Sequence, residues 1–136
     1  QISWNLLCGF PLMIPSFLYK GVHNDHHNIN IYGTRGDGEY FPFVHEGKFK
    51  IILFILSSFF VPVLLFTRFV FLTPLSYCHQ SIRLLVLEKF SSLSIDLSYK
   101  RTRSSLNSVG MWQVQELSAC LFGWVLLLII IQDTVH

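Results

Sequence analysis

Three of the six histidines of this 136-residue chain lie close together, at His23, His26 and His27. We call these three residues the histidine cluster. On an α-helix, side chains three and four positions apart share one face, so this spacing predicts that the imidazole rings converge. Imidazole nitrogen is a common ligand of iron, copper, nickel and zinc. The cluster therefore predicts a transition-metal site without identifying the metal.

The cluster differs from the H-E-x-x-H motif of zinc peptidases. That motif places a glutamate general base directly after its first histidine, whereas Asn24 follows His23 here and a third histidine is added. A general base beside zinc is therefore not predicted, and no residue of the region is assigned a catalytic role. Asn24 and Asp25 lie within the cluster and can hold the ring N–H groups that do not face the metal. The alternative is a polar loop at a membrane surface.

Three histidines cannot complete the coordination of two metal ions, and one redox-active iron usually takes further nitrogen or oxygen ligands. Elsewhere in the chain the candidates are His45, with its neighbour Glu46, and His79. Neither histidine has a partner at ligand spacing, which is more typical of surface residues. His136 is the last residue, and it either begins another motif or has no role.

The composition predicts a membrane protein, because 51% of the residues are hydrophobic and only 13% are charged. The apolar residues are concentrated in residues 49–75 and 117–131. A membrane-spanning helix needs about 20 apolar residues, so the first run is long enough for a bent crossing and the second is slightly short. We therefore predict an all-α fold, that of a helical integral membrane protein. Two buried helices of a soluble core would need more polar chain around them.

Composition divides residues 1–136, which we treat as one partial domain, into five stretches. They are a membrane-contacting segment (1–19), the histidine region (20–48), a hydrophobic hairpin or span with Pro62 near its middle (49–75), an amphipathic interfacial region (76–116) and a transmembrane helix (117–131). Proline removes a backbone donor from a helix, so Pro62 favours a bend. Within the interfacial region, Ile82, Leu85, Val86 and Lys89 have helical spacing.

The net charge is only +2, but basic residues flank the histidine cluster and fill the region after residue 75. Short loops rich in lysine and arginine tend to stay in the cytoplasm, which predicts a cytosolic histidine region. Lys100, Arg101 and Arg103 form the only tight basic group. Basic residues beside a membrane explain such a group better than nucleic-acid binding, so no nucleic-acid partner is predicted.

Residues 23–43, HNDHHNINIYGTRGDGEYFPF, resemble the second histidine box of membrane fatty-acid desaturases. The likeness is strongest to bacterial-type members, in which H-x-x-H-H precedes Y-G-T and D-x-E-Y. It continues more weakly through residues 68–76 and 91–101. The resemblance makes Asp37 and Glu39 further candidates to hold ring N–H groups, with Gly36 and Gly38 allowing tight turns.

The resemblance implies a chemistry as well as a fold. Enzymes of this family use three histidine boxes on the cytosolic side of a helical membrane domain to hold two irons. These irons activate dioxygen, the co-substrate, and a double bond is introduced into an acyl chain. By resemblance, His23, His26 and His27 are iron ligands, and the partners are the lipid bilayer, an acyl substrate and an electron donor such as a ferredoxin or cytochrome.

The chain departs from the family pattern because no H-x(3,4)-H box precedes His23 and no further H-x-x-H-H follows it. We expect the other two boxes, with the remaining iron ligands, to lie before Gln1 and after His136. The isolated chain is then expected to be inactive. Three alternatives remain: a related di-iron hydroxylase or ketolase, a non-catalytic metal-binding membrane protein, and a reading frame that never makes active enzyme.

Overall fold

A computed structural model describes residues 2–34, 36–39, 47–93, 99–101 and 109–135. Within these ranges the regular structure is helical and no strand occurs, so the predicted all-α fold is confirmed. In chain order the helices are α1 (Ile2–Trp4) with a π-helical turn (Asn5–Gly9), α2 (Phe17–His26), α3 (Lys48–Ser58), α4 (Val61–Thr67), a second π-helical turn (Arg68–Leu72), α5 (Thr73–Cys78), α6 (Gln80–Lys89) and α7 (Val109–Val135).

Two helical stretches are long and apolar enough to cross a membrane, Val61–Cys78 and Gly110–Val135. The first lies at the end of the apolar run that the sequence indicates, and the second extends the predicted span 117–131 in both directions. Large apolar side chains on both stretches are exposed, among them Leu64 and Leu128. Exposed apolar residues over such lengths fit a lipid environment, since the bilayer core needs about 20 residues of helix.

The helix is interrupted near Pro62, as the sequence predicts. Helix α3 ends at Ser58, and α4 begins at Val61 with Pro62 in its first turn. The missing N–H of proline costs little there, because the first N–H groups of a helix have no partner within it. Whether residues 49–75 form a re-entrant hairpin stays a prediction.

The core joins α2 to both candidate spans. Met13, Phe17, Leu18, Phe69 and Ala119 are buried and pack together. Phe17, at the start of α2, meets the edge of the Phe69 ring with centroids 6.4 Å apart. Between membrane segments such contacts stabilise by close van der Waals packing rather than by removal from water. The first turn of α2 is therefore fixed against the second π-helical turn and α7.

A network of charged side chains lies between the two candidate spans and α6. The guanidinium of Arg68 donates to Glu116 Oε1 over 2.5 Å, and Arg83 donates to Glu116 Oε2 over 2.7 Å. Tyr77 donates to the same Oε2 over 3.2 Å. Arg68 and Glu116 are both buried. Nothing in the sequence predicts this network, because Arg68 interrupts the apolar run 49–75 and Glu116 directly precedes the run 117–131.

Candidate metal centre

Helix α2 carries the histidine cluster at its carboxyl end. His23 and His26 lie in its last turn, and His27 follows directly. The Nε2 atoms of His23 and His27 face each other at 3.1 Å, with the two rings perpendicular. The helical spacing thus brings two of the three imidazoles together, as the sequence predicts.

The ring of His26 lies apart from the His23–His27 pair. Its ring centroid lies 5.8 Å from that of His27, and its Nδ1 lies 3.0 Å from each oxygen of Asp37. In the part of the chain that the structure describes, no three His, Cys, Asp or Glu side chains come close enough to hold a metal ion. The role of all three cluster residues as iron ligands stays a prediction.

Asp37 is buried and held in a tight turn after α2. Its carboxylate accepts hydrogen bonds from the backbone N–H groups of Gly33 and Glu39, at 3.0 and 3.1 Å, as well as facing His26. Burial opposes ionisation of Asp37, but these hydrogen bonds and His26 outweigh it and lower the pKa of the carboxyl. An ionised carboxylate only accepts, so Nδ1 of His26 carries a proton, and in the neutral imidazole Nε2 then keeps its lone pair.

Glu39 holds His23 in a similar way. Its Oε2 lies 3.2 Å from Nδ1 of His23, and the Tyr19 hydroxyl lies 2.7 Å from the same nitrogen. The Tyr19 ring also stacks on the His23 ring with centroids 4.4 Å apart. In the neutral tautomer whose Nδ1–H is donated to Glu39, Nε2 of His23 presents a lone pair toward His27.

Asn24 and Asp25, which lie within the cluster in the sequence, have different surroundings from Asp37 and Glu39. Asp25 accepts a hydrogen bond from the Tyr99 hydroxyl over 3.3 Å, and Asn24 is exposed. Burial and the negative charge of Asp25 raise the pKa of Tyr99, so its hydroxyl keeps its proton. A direct role of Asn24 or Asp25 on a histidine N–H stays a prediction.

Distant residues hold the first turn of α2. The side-chain oxygen of Gln115, on α7, accepts from the backbone N–H of Phe17 over 3.1 Å and from the Ser16 hydroxyl over 3.0 Å. Arg101 is buried and donates to the carbonyl of Phe17 from both terminal nitrogens, at 3.1 and 3.2 Å, and to the carbonyl of Ser91. Residue spacing does not predict these contacts, because Gln115 and Arg101 are more than 80 positions away from Phe17 in the sequence.

The other candidate ligands do not join the cluster in the described ranges. His79 precedes α6, where its Nδ1 accepts from the backbone N–H of Ser81 over 3.3 Å. It therefore caps a helix. His45, Glu46 and His136 lie outside the described residues.

Comparison with known proteins identifies the family. The family model described as "Fatty acid desaturase" matches residues 1–133. The chain belongs to the fatty acid desaturase family. A ceramide hydroxylase of Caulobacter vibrioides (strain NA1000 / CB15N) is 33% identical over 131 residues, which cover 93% of this chain and 36% of the relative. This chain thus spans about a third of that relative's length, and no solved structure matches it.

Family membership confirms the resemblance of residues 23–43 and, with two candidate spans, indicates a membrane protein. Two features of the site fit the iron that the desaturase family generally uses. The Nε2 atoms of His23 and His27 lie 3.1 Å apart, close enough for one cation to be bound by both once neither nitrogen carries a proton. Among the residues that the structure describes, no hydrogen-bond partner meets the buried Oε1 of Glu39, so a cation bound nearby would stabilise this oxygen.

Proposed function

We propose that this chain forms part of a membrane enzyme that oxidises a C–H bond of a lipid acyl chain with iron and dioxygen. The observation that carries the proposal is the facing Nε2 pair of His23 and His27, beside the carboxylates that hold His23 and His26. Neutral imidazole with its second nitrogen fixed by a carboxylate is the arrangement that metal-binding histidines adopt.

The histidine cluster would hold the metal, and its remaining ligands and a second iron would be held by parts of the protein outside this chain. When bound, iron supplies the oxidising power that dioxygen needs to attack an unactivated C–H bond. Asp37 and Glu39 fix the tautomers of His26 and His23, so that Nε2 of each ring keeps its lone pair. Their two negative charges also lie beside the site, where they favour a bound cation.

The proposed reaction also requires that water be kept away from the reacting carbon, and the apolar segments would do this. We place the histidine region on the cytoplasmic side, because Lys20, Lys48 and Lys50 flank it and basic loops tend to remain there. An acyl chain would reach the cluster from the bilayer. Electrons would arrive from a soluble or membrane-surface donor such as a ferredoxin or cytochrome.

The product is either a double bond or a hydroxyl group. The likeness of residues 23–43 to the second desaturase box favours desaturation, as do the motifs Y-G-T and D-x-E-Y. The relative that is a ceramide hydroxylase favours hydroxylation, which makes hydroxylation the second candidate. Both reactions begin with removal of hydrogen from carbon and would use the same ligands.

Lipid analysis of a host that expresses the full-length protein tests the proposal. We expect either fatty acyl chains two hydrogens lighter, which indicate desaturation, or lipids one oxygen heavier, which indicate hydroxylation. A variant with all three cluster histidines changed to alanine is the control, and it should lose the new product. If neither product forms although the wild-type protein contains iron, the proposal is wrong.

Metal analysis separates the enzyme from a non-catalytic metal-binding protein. We expect the purified full-length protein to contain iron, and the triple-alanine variant to contain much less. Zinc in place of iron, or no metal in the wild type, supports the non-catalytic alternative.

A further inference from the structure

The turn that carries Asp37 and Glu39 touches the histidine helix through the glycine between them. Gly38 is buried, and a Cβ atom placed on it would lie 2.8 Å from Cγ1 of Val22. Carbon atoms in contact normally lie about 3.5–4.0 Å apart, so no side chain fits here without movement. Val22 is fully buried and directly precedes His23. The absence of a side chain at Gly38 is therefore what lets the two carboxylates approach the helix.

The ring of Tyr99 forms the other wall of this contact. The same Cβ atom would lie 3.0 Å from Cγ and 3.1 Å from Cδ2 of Tyr99. Tyr99 is itself buried, and its hydroxyl donates to Asp25, the residue before His26. Gly38 is thus enclosed by one residue of α2 and one residue that follows α6.

We propose that Val22 and Tyr99 are positioning residues that seat Gly38, and thereby set the distances from Asp37 to His26 and from Glu39 to His23. The inference rests on the proposed metal-binding function and adds to it the parts of the chain that align the carboxylates. Displacing the turn by even half an ångström would lengthen contacts that are now 3.0–3.2 Å. Carboxylate partners of this kind change metal affinity by about 10- to 100-fold.

Gly36 offers a matched control in the same turn. A Cβ atom on Gly36 would lie 3.5 Å from its two nearest neighbours, the side chains of Ile31 and Thr34, which is ordinary contact. Replacing either glycine by alanine restricts the backbone of the unfolded chain by a similar amount. The two variants therefore differ mainly in the steric clash of the added Cβ atom.

The test uses the full-length protein, purified in detergent, stripped of metal and titrated with Co²⁺, whose visible absorption reports coordination. We expect Gly38→Ala to weaken Co²⁺ binding about 10- to 100-fold and to alter the absorption bands, while Gly36→Ala remains near wild type. The double variant Val22→Ala/Gly38→Ala removes the closest clash, so it should bind more tightly than Gly38→Ala alone. A substitution that destabilised the protein without this clash against Val22 would not be rescued by a second truncation in the core.

Substitutions of Tyr99 test the inference independently if the Gly38→Ala variant does not fold. Tyr99→Phe keeps the ring and loses only the hydrogen bonds that the hydroxyl makes with Asp25 and Arg101, so we expect a change in Co²⁺ affinity below about threefold. Tyr99→Leu removes the ring face and should weaken binding as Gly38→Ala does.

Equal Co²⁺ affinity of Gly38→Ala and Gly36→Ala, or of Tyr99→Leu and Tyr99→Phe, overturns the inference while leaving the metal site in place. A wild-type protein that binds neither Co²⁺ nor iron overturns the proposed function and this inference together.

Discussion

At the scale of single residues, the histidine cluster depends on which ring nitrogen carries the proton. Asp37 accepts a hydrogen bond from Nδ1 of His26, and Glu39 accepts one from Nδ1 of His23, beside the Tyr19 hydroxyl. Each of these contacts leaves Nε2 as the nitrogen with a free lone pair. Under the proposed function, the carboxylates would thus orient the histidines and set their tautomers before a metal binds.

Replacing Asp37 by asparagine tests this role. An amide removes the negative charge and donates as readily as it accepts, so it no longer selects the Nδ1–H tautomer of His26. We expect iron affinity of the full-length protein to fall about 10- to 100-fold, measured by metal content after dialysis against a graded chelator. Asp133→Asn removes the same charge at an exposed position near the end of α7 and should have no effect. Equal iron retention by both variants would contradict the role.

The sequence identified these carboxylates but not their partners. Asp37 and Glu39 were candidates through the resemblance to the desaturase histidine box, and each lies beside a different histidine in the structure. Asp25 was an equal candidate by spacing, yet its carboxylate meets Tyr99. The direction in which a side chain points from its helix and the conformation of the following turn decide which carboxylate meets which partner. Residue spacing alone shows neither.

At the scale of elements, α2 is a ten-residue helix that depends on neighbours for its position. Its N-cap residue, Ser16, makes no capping hydrogen bond to the helix, and Gln115 of α7 accepts from Phe17 instead. Arg101 binds the Phe17 carbonyl and lies over the Trp112 ring at 4.4 Å. The histidine helix is therefore fixed at its start by α7 and by the chain after α6.

Gln115→Met removes this cap while keeping the length of the side chain. The backbone N–H of Phe17 is then buried without a partner, which costs about 1–3 kcal/mol. We expect a lower melting temperature in detergent and faster hydrogen exchange at the first amides of α2. Gln132→Met, at an exposed position of the same helix, is the control. If both variants exchange at the wild-type rate, the cap contributes nothing.

The elements themselves were more predictable than their contacts. The apolar run 117–131 indicated a span, but α7 begins at Val109. A helix can continue through polar residues such as Gln113, which an apolar run does not include. The spacing of Ile82, Leu85 and Val86 predicted a helix, and α6 confirms it. The cap from Gln115 joins residues 98 positions apart, a distance at which one sequence carries no local signal.

At the scale of the whole molecule, the two candidate spans are joined by buried charges as well as by apolar packing. Arg68 lies in Val61–Cys78 and Glu116 in Gly110–Val135, and their side chains are only 4% and 3% exposed. Arg68 also donates to the Phe90 carbonyl and the Thr73 hydroxyl, so its donors serve several elements. Burying two charges is costly, and the pair repays that cost only when both partners are present.

This dependence predicts an unequal result for single and double substitutions. Glu116→Gln leaves Arg68 buried without a full counter-charge, and we expect it to destabilise the protein by about 3–5 kcal/mol. The double variant Arg68→Met/Glu116→Met replaces the pair by apolar side chains of similar length, so it should be clearly more stable than Glu116→Gln. Unfolding of the full-length protein in mixed micelles, followed by loss of helical circular dichroism as SDS increases, measures the difference. A double variant no more stable than Glu116→Gln would mean that Glu116 stabilises the protein through Arg83 and Tyr77 rather than through Arg68.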